Sequence, residues 1–206
     1  MKSNTIVKDT FALTLITLIA GVLLGLVYNI TAEPIAAEQA RSKAEAYQTV
    51  FEDADSFESI SETENPELES YLDENGYTTE DINEVMQAVD ASGNPLGYAF
   101  TITTSQGYGG DIQLTMGVQA DGTVNGISFL SIEETAGLGM KADTDEFKSQ
   151  YAGKQVDKFE YTKNGATQDN QIDAISGATI TTNAVTDAVN AGLCAFQYYE
   201  EGGSEA

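Results

Sequence analysis

The pattern of hydrophobic and polar residues changes several times along this chain, and its first part has no polar face. Residues 10–32 carry no charged side chain, and residues 11–30 are rich in Leu, Ile and Val. A helix of that length spans a hydrocarbon core of about 30 Å, so we expect a transmembrane helix at residues 11–32, after a stub at residues 1–10. A secretory signal peptide is the alternative, but its apolar region is usually only ~7–15 residues long and ends at a small-x-small cleavage site. Ala32-Glu33-Pro34 is a poor cleavage site, which favours an uncleaved anchor.

A helical pattern follows the apolar segment. Pro34 suits the first turn of a second helix. Apolar and aromatic residues then recur at three- and four-residue spacing, at Ala40, Ala44, Tyr47 and Phe51. Residues 52–84 are strongly acidic and are interrupted by Asn-Pro at 65–66 and Asn-Gly at 75–76. We expect an acidic helical stalk and connecting region over residues 33–84.

Strand patterns replace the helical one from Val85 onward. Runs rich in β-branched and aromatic residues, bounded by Gly, Asn, Asp and Pro, predict strands at 85–90, 96–104, 112–118 and 124–132. Connections this short force neighbouring strands to run antiparallel. A loop at 133–140, a short helix at 143–151 and an extended piece at 158–161 follow.

The chain closes with a second helical pattern. Its apolar positions are Val185, Ala188, Val189, Gly192, Leu193 and Phe196. This spacing places Thr179 at or just before the start of a helix. The pattern as a whole predicts an α+β domain at residues 85–199, an antiparallel sheet flanked by helices, and a disordered tail at 200–206.

The composition of the chain limits the functions that it can have. The formal net charge of -24 disfavours nucleic acid as a partner, and its simplest role is to keep the domain soluble. There is no histidine, which excludes a Ser/His/Asp triad and removes the commonest metal ligand. Cys194 is the only cysteine, so no intramolecular disulfide can form, and we expect it to act as a small buried hydrophobe.

Charges beside the apolar segment bear on its orientation. Lys2 and Lys8 precede it, whereas Arg41 and Lys43 follow at a similar distance. We expect the N-terminus to be cytoplasmic and the main domain to lie outside the cell membrane.

Three glycine-containing segments are candidates for a binding site. They are Gly107-Tyr108-Gly109-Gly110, the loop from Glu134 to Gly139, and the stretch from Asp173 to Thr179. Glycine lets the backbone approach a flat ligand closely, although each segment could also be only a tight connection. Free N–H groups at a helix start favour a phosphate near Thr179, and the alternative is that Ser176 or Thr179 is simply an N-cap.

Together these segments resemble the FMN-binding domain of RnfG, the flavin-carrying component of the Rnf electron-transport complex, and RnfG is in turn related to NqrC of the sodium-pumping NADH:quinone oxidoreductase. The resemblance covers the membrane helix, stalk, strand order and three motifs: Gly-Tyr-Gly-Gly, Glu-Thr-x-Gly-Leu-Gly and Asp-x-x-Ser-Gly-Ala-Thr. Ala136 stands where the family usually has proline. Thr167, in Asn-Gly-Ala-Thr, lacks the Ser and Asp of the motif.

The resemblance implies FMN bound covalently, as a phosphoester to Thr179. It implies that Asp173, Ser176, Gly177 and Ala178 form the recognition sequence of a magnesium-dependent flavin transferase that uses FAD as donor. The remaining cofactor-binding residues that it implies are Glu134, Thr135, Gly137, Leu138, Gly139, Tyr108 and Gly109. We expect the flavin ring to lie between the two glycine loops.

The expected function is that of a membrane-anchored electron-transfer subunit in an Rnf-type ferredoxin:NAD oxidoreductase complex that moves ions, with the other membrane and redox subunits as partners. One alternative is a stand-alone extracytoplasmic flavoprotein that passes electrons to a soluble or surface acceptor. Another is a non-redox anchored module whose loops recognise a peptide or sugar. A hydrolase is least favoured, because the chain lacks histidine.

Overall fold

The computed structural model describes residues 2–61 and 65–203, which form two compact units that meet in sequence at Ser42 and Lys43. The first unit lies within helix α1 (Lys2–Val50). Most of its large apolar side chains, such as Phe11, Leu18 and Leu24, are more than half exposed. Within the described residues, α1 is the helix that is long enough and apolar enough to cross a membrane.

Pro34 does not begin a second helix. It lies inside α1, where it removes one backbone hydrogen bond but is flanked by good helix formers on both sides.

The second unit is built on a five-stranded antiparallel sheet in the order β1-β2-β3-β4-β5. The strands are β1 (Ser56–Ser61), β2 (Glu80–Val89), β3 (Pro95–Thr104), β4 (Ile112–Gln119) and β5 (Val124–Ser131). The predicted meander of four strands is confirmed as β2 to β5.

Strand β1 lies in the acidic segment, where the sequence predicts a helical stalk and connecting region and no strand. Its two large apolar residues face opposite ways: Phe57 packs in the cluster with Tyr47, and Ile60 packs in the cluster on the other face. A two-residue period therefore never develops in this edge strand, and the hydrophobic pattern does not predict it.

Helix α2 (Pro66–Glu74) follows, framed by the predicted breakers. Asn65 caps it, because its Oδ1 accepts from the N–H groups of Glu67 and Leu68 at 3.1 and 3.2 Å.

The sheet has a helix against each face. Phe100 and Ile102 of β3 belong to the large core that includes helix α4 (Thr179–Glu200). Ala99 on the alternate face belongs to the smaller cluster around Tyr47 and Phe51. The α+β class is thus confirmed, with α4 held across the middle of the sheet.

The connection from β5 to α4 runs through several short elements. They are a 3₁₀ turn (Gly139–Asp143), helix α3 (Asp145–Lys148), β6 (Glu160–Thr162) and β7 (Gln171–Asp173), the last two pairing in parallel. The predicted helix at 143–151 is shorter than expected, and the predicted extended piece at 158–161 overlaps β6. This path brings the chain back to the start of α4. Residues 204–206 of the predicted tail lie outside the described residues, and α4 itself continues to Glu200.

Candidate functional site

An open pocket of about 540 Å³ lies where the three glycine-containing segments meet, a volume within the usual range of about 300–1,000 Å³ for small-molecule sites. Its lining residues are Tyr108, Glu134, Thr135, Leu138, Gly139, Gly177, Ala178, Thr179, Ile180 and Thr181. Residues separated by about 70 positions in the sequence therefore share one surface.

Thr179 is the first residue of α4 and is half-buried. The N-cap is Ala178, which has φ −134° and ψ 49° and provides no side-chain cap. Neither Ser176 nor Thr179 caps the helix, so that interpretation is wrong. The first N–H groups of the helix have no intrahelical acceptor, and they lie at the positive end of the helix dipole. This end of the pocket suits an anionic group.

Gly177 gives the turn before Thr179 its shape. Its φ of +78° lies in the left-handed region that L side chains rarely adopt, and a Cβ there would lie 3.2 Å from Leu138 Cδ2. The turn thus needs glycine both for its backbone conformation and for its contact with the opposite loop.

Glu134 joins the two glycine loops. It is only 8% exposed, and its Oε1 accepts from the backbone N–H groups of Tyr108 at 2.7 Å and Gly109 at 3.2 Å. A Cβ on Gly139 would come within 2.6 Å of both Glu134 Oε2 and Thr181 Oγ1. The carboxylate therefore accepts hydrogen bonds from the protein's own backbone. Its other oxygen lies so close to Gly139 that a side chain at residue 139 would collide with it.

Apolar side chains stand exposed around the pocket. Tyr108 is 70% exposed, Leu138 42% and Ile180 54%. Outside α1, these three and Tyr161 are the large hydrophobic residues most exposed in the described part of the chain. An exposed apolar cluster beside a polar helix start fits a ligand with a flat ring at one end and an anion at the other.

Two residues of the motif face elsewhere. Asp173 and Ser176 line a neighbouring pocket of about 370 Å³, together with Lys141 and Gln150. Asp173 accepts from the N–H of Ala166 at 2.6 Å, and its own N–H donates to Gln150 Oε1 at 2.6 Å. The loop between β7 and α4 therefore separates two pockets.

Gly109 and Gly137 do not line the pocket with Thr179. Gly109 lies against the backbone of Glu133, and Gly137 occupies an exposed turn with φ +77°. Both shape their loops.

Sequence reasoning missed Ile180, Thr181 and Thr182. Ile180 and Thr181 follow Thr179 in the first turn of α4, so the predicted helix start was the only available signal for them. Thr182 is fully buried and hydrogen-bonds the loop before the helix. Nothing in the sequence marked that contact.

A polar network lies next to the Gly107–Gly110 turn. Buried Glu80 accepts through Oε1 from Gln106 Nε2 at 2.8 Å and from Thr104 Oγ1 at 3.0 Å. One face of α4 adds Asn183, which donates to Asp187 at 2.7 Å. Burial and the nearby charge of Glu80 raise the pKa of Asp187 above its ordinary value.

Comparison with protein families agrees with this geometry. Residues 107–193 match the FMN-binding domain family, and residues 1–50 match the RnfG N-terminal region. The family matches and the apolar N-terminal helix thus define a membrane-anchored protein with an FMN-binding domain.

Relatives narrow the class further. The chain is 33% identical over 195 residues to the G component of the ion-translocating oxidoreductase complex of Methanosarcina acetivorans, which covers 93% of this chain and 94% of the relative. It is 32% identical to the G component of the proton-translocating ferredoxin:NAD(+) oxidoreductase complex of Clostridium ljungdahlii, over 90% of this chain and 89% of the relative. It is 30% identical to the Na(+)-translocating counterpart of Acetobacterium woodii, over 94% and 93%. The chain belongs to the RnfG family of Rnf-type ion-translocating oxidoreductase complexes.

The residues of the pocket fit FMN. The uncapped first turn of α4 suits the phosphate, and the exposed cluster of Tyr108, Leu138 and Ile180 suits an aromatic ring. Half-buried Thr179 is the first residue of that turn and lines the same pocket.

Proposed function

We propose that this chain is the flavin-carrying electron-transfer subunit of an Rnf-type membrane complex, with FMN joined through its phosphate to the hydroxyl of Thr179. The observation that carries the proposal is the position of Thr179. It lies at the first, uncapped turn of α4, in the pocket built by both glycine loops and inside the segment matched by the FMN-binding family.

In this proposal, the first turn of α4 binds the phosphate. Its free N–H groups and the helix dipole favour the anion without a basic side chain. Tyr108, Leu138 and Ile180 provide apolar contact for the ring, and Glu134 holds the Tyr108 turn in place. FMN supplies the one- and two-electron chemistry, while the protein sets orientation and exposure.

Attachment needs an outside enzyme. A threonine hydroxyl is a poor nucleophile at neutral pH, and this chain has no histidine to activate it. Transfer from FAD by a flavin transferase forms one bond between Thr179 Oγ1 and phosphorus and breaks the pyrophosphate bond. AMP and the hydroxyl proton are the other products. The chain is thus the substrate of that reaction.

The membrane helix and the family membership support assembly with other membrane and redox subunits. In this proposal the N-terminus faces the cytoplasm, and the FMN-binding domain lies on the outer side. The relatives from Clostridium ljungdahlii and Acetobacterium woodii are named for different ions, protons in one and sodium in the other, so family membership does not assign the ion.

The test is flavin attachment in the full chain. The chain is co-expressed with a flavin transferase, and attachment is measured as in-gel flavin fluorescence after denaturation and as intact mass. We expect one FMN adduct, which Thr179→Ala removes. Thr167→Ala is the matched control, because Thr167 also follows a Gly-Ala pair and lies on the surface. Absence of an adduct in the wild-type chain, or its persistence in Thr179→Ala, contradicts the proposal.

Membership in a complex has its own test. Full-length protein isolated from native membranes under mild conditions is expected to copurify with multi-span redox subunits. Recovery of a flavinylated chain alone would instead favour the stand-alone carrier.

A further inference from the structure

Thr182 lies three residues after Thr179, has no exposed surface and is bonded to the loop that precedes the helix. We propose that Thr182 is a positioning residue for flavin attachment, whose hydroxyl holds the turn at residues 175–178 so that Thr179 is presented to the pocket. The proposal rests on the proposed function, since it concerns transfer of FMN from FAD to Thr179 Oγ1, with AMP and a proton as the other products.

The Thr182 hydroxyl closes the turn from both ends. Its Oγ1 accepts the N–H of Ile175 at 3.0 Å and donates to the carbonyl of Ala178 at 3.0 Å. The Ser176-Gly177 pair lies between those two anchor points. One hydroxyl thus bonds both ends of the segment before Thr179. Its lone pair accepts at Ile175, and its proton is donated to Ala178.

Backbone bonds complete the same turn. The N–H of Ala178 donates to the carbonyl of Ile175 at 3.0 Å, and the N–H of Thr182 donates to the carbonyl of Ala178 at 3.0 Å. The bond from Thr182 Oγ1 back to residue 178 is the ordinary contact that threonine makes within a helix. The bond to Ile175 is different, because it reaches outside the helix and ties the loop to it.

The turn of α4 that follows Thr182 has hydrogen bonds of its own. Thr186 Oγ1 donates to the carbonyl of Thr182 at 2.8 Å and hydrogen-bonds the hydroxyl of Tyr151 at 3.0 Å. Both of these side chains are buried. These bonds belong to the helix backbone and to Tyr151, and they do not involve the hydroxyl of Thr182.

The position of Thr179 depends on this arrangement. Gly177 permits a left-handed backbone with φ +78°, and glycine also samples many other conformations when the loop is released. The hydroxyl of Thr182 supplies the restraint that glycine lacks. Without it, the loop keeps its sequence, but Thr179 spends less time in the geometry that an attaching enzyme needs.

The experiment compares attachment rates in the full chain. Thr182→Val keeps the shape of the side chain but removes the hydroxyl, Thr182→Ser keeps the hydroxyl, and Thr186→Val is the matched control. Thr186 is also buried and makes the same bond within the helix, but its hydroxyl bonds Tyr151 and not the turn at residues 175–178. Each purified protein without flavin is incubated with transferase, magnesium and FAD, and the adduct is followed by intact mass.

We expect Thr182→Val to slow attachment at least about tenfold, the effect of losing one hydrogen bond that orders the reacting segment. Thr182→Ser is expected to restore the rate to within about threefold of the wild type, and Thr186→Val to stay in that range. An unchanged rate in Thr182→Val overturns the proposal. So does an equal loss in Thr186→Val, which would indicate general loosening of the helix.

Hydrogen exchange supplies a readout that needs no flavin, and its first measurement is made on the wild type. In the flavin-free wild-type chain, the amide of Ile175 is expected to be protected, since it donates to buried Thr182. Thr182→Val is expected to speed its exchange about tenfold or more. Fast exchange of Ile175 in the wild type overturns the proposal even where Thr182→Val does not fold. If instead the wild type accepts no FMN while Ile175 is protected, the proposed function fails and the hydrogen bond remains established.

Discussion

Replacement of Glu134 by alanine is expected to separate the two glycine loops of the pocket. The Glu134 carboxylate accepts the N–H groups of Tyr108 at 2.7 Å and Gly109 at 3.2 Å while only 8% exposed. A hydrogen bond to a charged group contributes about 1.5–3 kcal/mol, and the longer bond and the partial access of water at this rim place the pair at the low end. We therefore expect Glu134→Ala to lower the free energy of unfolding by about 2–4 kcal/mol.

The assay is urea unfolding of the full chain in detergent. Glu134→Gln retains an acceptor oxygen but removes its charge, so about half of the loss is expected. Glu133→Ala is the control, because Glu133 is exposed on the same loop. It should change the free energy of unfolding by no more than about 0.5 kcal/mol. Hydrogen exchange at the Tyr108 and Gly109 amides should increase in Glu134→Ala and stay unchanged in Glu133→Ala.

One outcome would refute this reasoning. If Glu134→Ala and Glu133→Ala unfold at the same urea concentration, the two backbone bonds do not stabilise the pocket. Tyr108 would then have to be held by something other than the carboxylate, and its place at the rim would not depend on Glu134.

Two further predictions concern α4. Gly192→Ala is expected to cost about 1–2 kcal/mol in urea unfolding despite a better helix propensity, because its Cβ would lie 2.6 Å from Met116 Sδ; Gly21→Ala, with nothing within 4 Å, is the control and should cost nothing. Asp187→Asn is expected to stabilise the chain at pH 7. The folded state holds the Asp187 proton more tightly than the unfolded state, so wild-type stability falls as the pH rises from 3.8 through the raised pKa. The advantage of Asp187→Asn should vanish below that window, and an advantage independent of pH would contradict the role of Glu80 and burial.

The sequence is sufficient for the elements whose burial follows a simple period. Strand β3 alternates between its two faces, with Phe100 and Ile102 toward α4 and Ala99 toward Tyr47. Apolar residues at helical spacing mark α4 in the same way. The Asn-Pro and Asn-Gly breakers lie at the two ends of α2, and Asn65 caps its N-terminus.

Elements held by polar contacts escape the same reasoning. The first half of β2 is polar, and its Glu80 is buried by hydrogen bonds from threonine and glutamine. Because this buried position is polar, it adds nothing to a pattern of hydrophobic residues. The pattern therefore predicts a strand that starts only at Val85. The edge strand β1 escapes it because Phe57 and Ile60 face opposite sides.

The motif itself shows the limit most clearly. Sequence adjacency indicates one site, but the chain turns between Ser176 and Thr179, so the two residues line different pockets. Which side of a loop a residue faces depends on backbone angles, and glycine at 177 is the only hint of them in the sequence. The buried bond from Thr182 to the loop leaves no trace in the sequence pattern.

Folding alone explains most of the motif. Asp173 accepts a backbone N–H from the preceding loop, Gly177 adopts a left-handed backbone, and Ala178 is the small, buried N-cap residue of the helix. The hydroxyls of Ser176 and Thr179 are different, because neither has a hydrogen-bond partner among the described residues. Stability therefore gives no reason for either hydroxyl. Of the two, only Thr179 lies at the start of a long helix and in the pocket with the exposed apolar rim, which supports the proposal that Thr179 carries the flavin.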